Sequence, residues 1–336
     1  MTAQAPPLRT PEPGDPAPAR ARELPTLELL ALLLVAAVLL RPAMAGFFDN
    51  PALQMWSTVF VSIAVQALPF LVLGVVVSGA IAALVPPGWL ADHLPKRPLL
   101  AVPVAGLAGV ALPGCECGSV PIAGRLTARG AAPAAAFAFM LSAPAINPVV
   151  MVATAVAFPG RPDVVAARFA ASLLTAIVVG LLWARFGNEA LLERVRTSLP
   201  QGVGRWEAFT ATVRHDFLHA GGWLVVGAMT AATLQVVVPR SVLDTLGGNE
   251  LIAILVMGAL AVVLAICSEA DAFVAVGLTQ FSLSSRLVFL VVGPVVDLKL
   301  IALQAGTFGR AFALRFAPAA FAVAVLIAGT IGAVVL

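Results

Sequence analysis

The chain has 336 residues, 60% of them hydrophobic and 11% charged, with a formal net charge of +3 and a mean hydropathy of +1.01. Soluble domains carry about a quarter charged residues, so a soluble enzyme and a nucleic-acid-binding module are both excluded. Apolar segments of membrane-crossing length recur from residue 27 onward, the lipid bilayer is the first expected partner, and basic residues report orientation in it rather than nucleic acid.

Residues 1–26, rich in Pro, Ala and Arg, read as a disordered tail. Residues 27–58 read as a first transmembrane helix and its loop, retained although Ala43-Met44-Ala45 mimics a cleavage site. Strong spans are expected at 59–85, 133–158, 164–186, 213–238, 287–307 and 311–336, with Pro144 and Pro294 as helix-breaking residues inside two of them. Two further apolar stretches are interrupted, one by GCECGSVP after residue 113 and one by CSEADAF after residue 266. Their arms are too short to cross a bilayer singly.

A single offset of 150 residues carries Cys117 to Cys267, Phe139 to Phe289, Pro144 to Pro294 and Asn147 to Asp297. The chain therefore reads as an all-α, polytopic membrane protein built from two duplicated helical repeats, 59–186 and 213–336, with a polar linker at 187–212. Each interruption is either a re-entrant hairpin or the unwound centre of one crossing helix. Hairpins with a cytoplasmic N-terminus put Lys96, Arg97, Arg125, Arg129, Arg194, Arg196, Arg205 and Arg310 inside, and Arg41, Arg161, Arg240 and Arg286 outside. That distribution follows the positive-inside rule and makes the repeats inverted, with paired breaks meeting near the midplane. Four crossings per copy and parallel repeats are the alternative.

The chemistry gathers at these breaks. Pro113 and Pro121 bracket the first, and Gly114 and Gly118 allow unusual dihedrals there. In an extended or turn backbone Cys115 and Cys117 point to one side, and Cys267 can join them if the breaks meet. Three thiolates suit a soft ion such as trivalent arsenic, antimony, copper(I) or zinc. Glu116, Ser119, Ser268 and Asn147 are the polar neighbours expected to contact such a cargo. Glu269, Asp271, Asp297 and Lys299 are ionisable residues in apolar sequence, expected to serve proton coupling, with Asp297 opposite a non-titrating Asn147. His215 and His219, four residues apart, read as a helix end at the interface rather than a zinc site, and His93 has no ligand partner in sequence.

LPGCECGSVPIAGRL, SAPAINPVV, CSEADAF and GPVVDLK together resemble the predicted permeases that include the ArsP-type organoarsenical efflux proteins, over about residues 59–336. The resemblance implies a multi-pass permease of the bacterial inner membrane. Characterised members export trivalent methylated or aromatic arsenicals, with membrane cysteines implicated in recognition. That role falls here on Cys115, Cys117 and Cys267. The position of Glu116 is commonly small in the family, and an acid there favours a cation over a neutral arsenical. Some relatives act beside a second membrane subunit, so a hetero-oligomer or a homo-oligomer is implied.

No Gly-x-x-x-x-Gly-Lys fingerprint is present, and no cofactor is expected. The leading expectation is a proton-coupled secondary transporter exporting a thiophilic solute, and not an enzyme. The rival is a membrane thiol–disulfide oxidoreductase passing electrons through Cys117 and Cys267.

Overall fold

The computed structural model describes residues 50–86, 88–90, 95, 97–112, 114–192, 204–237 and 250–336. The expected tail, the first span, Pro113, His93 and the arginines 41, 194, 196 and 240 lie outside them. The described residues are helical and contain no strand. In chain order the helices are α1 (Pro51–Leu84), α2 (Pro98–Ala108, continued by a 3-10 turn), α3 (Glu116–Ala128), α4 (Pro133–Ile146), α5 (Pro148–Ala157) and α6 (Pro162–Phe186). They are followed by α7 (Arg205–Val237), α8 (Glu250–Leu264), α9 (Asp271–Gly277), α10 (Leu283–Val295), α11 (Leu298–Thr307) and α12 (Arg310–Val335).

Six segments among the described residues are long and apolar enough to cross a membrane: α1, α4 with α5, α6, α7, α10 with α11, and α12. The chain is a multi-pass helical membrane protein. Valines and leucines such as Val61, Val65, Leu68 and Val72 on α1 remain exposed, as a lipid-facing surface requires.

Several boundaries differ from the sequence expectation. Residues 51–58, expected as loop, begin α1, and residues 205–212, expected as linker, begin α7. The spans expected at 133–158 and 287–307, each with a helix-breaking Pro, stop at Asn147 and at Val296–Asp297. Pro144 and Pro294 lie in the turns just before these breaks, where each removes a backbone donor and the helix gives way within two residues. The chain restarts on a side-chain cap: Asn147 Oδ1 accepts from Val150 N–H at 3.0 Å, and Asp297 Oδ1 from Leu300 N–H at 2.6 Å.

The path of the first interrupted stretch follows from its contacts. Arg129, just past α3, donates to the carbonyl of Ala82 at the end of α1, and its own carbonyl accepts from Gly88 N–H at 3.3 Å. The segment that leaves α1 through α2 and α3 therefore returns to the end it left. In the second half, Ile254 near the start of α8 meets Gly329, and Ser284 at the start of α10 meets Gly332, both near the end of α12. That segment also returns to its starting level. Helices α1 and α7 run antiparallel, because Trp56 bonds Thr233 at 3.0 Å and Ser78 bonds Asp216 at 2.6 Å. Helices α6 and α12 are antiparallel too, with Trp183 near the end of one against Phe312 and Phe316 near the start of the other.

Close backbone approach positions the breaks. A Cβ on Gly74 of α1 would overlap the Cα of Gly118 in α3, and one on Gly227 of α7 would lie 2.6 Å from the Cα of Lys299. Only glycine lets these helices approach so closely.

Candidate functional site: a thiol and ion-pair junction between two broken helices

The first break ends on Cys115, extended at φ −88°, ψ 178°, which stands at the cap of α3. Glu116 and Cys117 are the first two residues of that helix, so the extended Cys-x-Cys geometry expected from sequence does not hold. The side chains converge nonetheless: the ligand atoms of Cys115, Glu116 and Cys117 lie within 4.8 Å of one another. Pro121 falls inside α3 rather than bracketing the break. Ser119 turns back on the Glu116 carbonyl at 3.2 Å.

The second break brings Cys267 to the same place. Lys299 links it there: its Nζ lies 3.6 Å from Cys267 Sγ and pairs with Glu116. All three cysteines are free thiols and buried. Asn147 ties the third break to the first, donating to the carbonyl of Gly114 at 3.1 Å. Its amide is thus occupied in holding backbone, both there and at its own cap.

Lys299, in the first turn of α11, is fully buried and reaches across to the other half. Its Nζ pairs with Glu116 Oε1, lies 3.4 Å from Asp297 Oδ2 and 3.6 Å from Cys267 Sγ. The N-termini of α3, α5, α9 and α11 open at the breaks. Glu116 Oε2 and both oxygens of Glu269 lack a hydrogen-bond partner among the described residues. Ser268 is buried with its hydroxyl unpartnered.

The sequence reading missed Arg168. This fully buried residue of α6 pairs with Asp271 Oδ2 at 2.6 Å, bonds Thr154 of α5 at 2.7 Å and reaches the Ser268 carbonyl at 3.3 Å. An Arg well inside the apolar run of 164–186, unlike Arg185 at its end, was the available signal, since such charges are rare in membrane helices without a task. Arg125 was counted as a loop charge, but it is buried on α3 and pairs with Asp216 at 3.0 Å. His215 and His219 stack with centroids 5.7 Å apart, and His219 Nε2 sits 3.0 Å from the Gly306 carbonyl.

Comparison with known proteins places this junction in a family. The profile of the ArsP_1 family, described as a predicted permease, matches residues 52–334. The chain belongs to that predicted permease family. It is 36% identical over 288 residues to UPF0718 protein YcgR of Bacillus subtilis, covering 82% of this chain and 95% of the relative. It is 33% identical over 266 residues to a putative two-component membrane permease complex subunit of Streptococcus mutans, covering 77% of this chain and 88% of the relative. No solved structure matches it. All four breaks, and every charged residue of the junction, fall within the matched region of this permease.

Proposed function

We propose that this permease exports a thiophilic solute, a trivalent organoarsenical or a soft metal or metalloid ion, across the bacterial inner membrane by proton-coupled secondary transport. The observation that carries the reading is the convergence of Cys115, Glu116 and Cys117, with ligand atoms within 4.8 Å of one another, and of Cys267 through Lys299, which pairs with Glu116 and lies 3.6 Å from the Cys267 sulfur. Sulfur ligands converging beside a carboxylate, with cysteine contributed by each half, select soft ions over hard ones. The site is closed, since Cys115 and Cys117 are 0% and Cys267 5% exposed. Closure of a site held between two halves is what alternating access requires of its occluded state.

Two inverted repeats are the architecture this reading uses. The 150-residue offset and the antiparallel packing of α1 on α7 and of α6 on α12 support it. Asp297, coordinated by Lys299 but free of any thiol contact, is the acid assigned to load and release the proton. A second membrane subunit is part of the proposal because the Streptococcus mutans relative carries the name of a two-component complex subunit.

The test is resistance of an arsenical- and metal-sensitive bacterial host expressing the chain, with its partner subunit where one is encoded. Cys115→Ser or Cys117→Ser abolishes protection against monomethyl or aromatic trivalent arsenicals or soft cations, because hydroxyl is a harder ligand. Cys267→Ser weakens protection against three-coordinate inorganic ions more than against organoarsenicals. Full protection by all three variants would show the cysteines to be packing residues.

A further inference from the structure

A cation already occupies the centre of the junction, and it belongs to the protein. The Lys299 ammonium lies between Glu116 of the first half and Cys267 of the second, with Asp297 as a further carboxylate within 3.4 Å. It is completely buried, so it does not snorkel to the surface, and it crosses from one half to the other to reach Glu116. Glu116 stands in the tripod with Cys115 and Cys117, and its second oxygen has no hydrogen-bond partner among the described residues. A neutral arsenical would have no use for a carboxylate at the head of this tripod. A soft cation would, since the carboxylate offsets the charge that desolvation makes costly.

We propose that the cargo is a soft, thiophilic cation and that Lys299 is a tethered competitor holding its place at Glu116 when the site is empty. The inference rests on the thiol reading of the junction and adds the charge of the cargo and the device that answers it. When the cation binds Cys115, Glu116 and Cys117, the two thiols release their protons to water in the open site, and the ammonium is displaced from Glu116 and retained by Asp297, the other carboxylate within its reach. Its arrival there ejects any proton that Asp297 carries, so cargo entry and proton release become one exchange. With the site empty, Lys299 keeps Glu116 neutralised and the junction can close without cargo. A flexible four-carbon stem with a compact charge suits this movement, whereas a forked guanidinium would stay fixed on the carboxylate.

The experiment titrates purified, reduced, full-length protein in nanodiscs with two probes, Cd2+ for the cation and phenylarsine oxide for a neutral arsenical. Removing the competitor removes the fraction of sites held by it, so Lys299→Gln binds Cd2+ about tenfold or more tightly than wild type. Phenylarsine oxide affinity changes far less. The charge-neutral double variant Lys299→Gln with Asp297→Asn shows the same gain and carries the test should the single variant fail to fold. Lys299→Arg, which keeps the charge, weakens Cd2+ binding. A merely structural lysine would never yield tighter binding on removal. Unchanged or weaker Cd2+ affinity in the Gln-containing variants overturns the proposal, as does an equal gain for both probes. Wild-type Cd2+ affinity in both Cys115→Ser and Cys117→Ser would instead overturn the thiol reading itself, whatever Lys299 does.

Discussion

Asp297 holds two positions at once, and they can be separated. One carboxylate oxygen caps α11 through Leu300 N–H, and the other faces Lys299. Asn147 performs the same capping duty for α5, and asparagine caps about as well as aspartate. Asp297→Asn therefore keeps the helix start and removes only the acid. Lys299 is not orphaned by the change, because Glu116 still holds it. The expected outcome in proteoliposomes is transport that no longer responds to a proton gradient, with thermal unfolding near that of wild type. Wild-type coupling in the variant would leave Asp297 as a structural cap alone. Charges such as these were legible in sequence because ionisable residues stand out in apolar runs, and Asp297 stood beside a Pro. Arg168 stood out equally, but its partners Thr154 and Asp271 are 14 and 103 residues away, so no local pattern joins them.

At the scale of elements, the breaks seen in sequence were those that polar residues announce. GCECGSVP and CSEADAF interrupt hydropathy, whereas Asn147 and Asp297 lie inside 25-residue apolar segments in which Pro144 and Pro294 mark a weak turn but not the residue at which the helix stops. The role of Asn147 and Asp297 as caps depends on where the backbone turns extended, which composition does not record. The contact of α1 with α3, made at Gly74 and Gly118, was equally hidden. Gly74→Ala drives a methyl into the Gly118 backbone and forces α1 away from the helix that carries Glu116 and Cys117. Overpacking of this kind costs about 1–3 kcal/mol. A lowered melting temperature and a marked loss of export are expected together. Gly222→Ala on α7 is the control: nothing lies within 4 Å of the added methyl, and helix propensity makes the change neutral or stabilising by about 1 kcal/mol. Equal behaviour of the two variants would remove the close approach from the account of the site.

At the scale of the molecule, inversion decides whether the junction can open alternately to two sides. In inverted repeats, equivalent loops lie on opposite faces of the membrane, and in parallel repeats they share one. The turn before α6 and the turn before α12 are such a pair, and Arg161 and Arg310 mark them. The antiparallel packing of α6 on α12 puts these two helix starts at opposite ends of the bundle. Single cysteines introduced as Arg161→Cys and Arg310→Cys, in a background with the three native cysteines replaced by serine, test this directly. A membrane-impermeant thiol reagent added to intact spheroplasts should label the first at once and the second only after permeabilisation. Labelling of both from one side would assign parallel repeats, and the two cysteine-bearing breaks would then enter from the same face. A site reached from one face only cannot exchange its cargo across the bilayer by the rocking of equivalent halves. The labelling pattern thus bears on the transport cycle itself, independently of which ion the thiols hold.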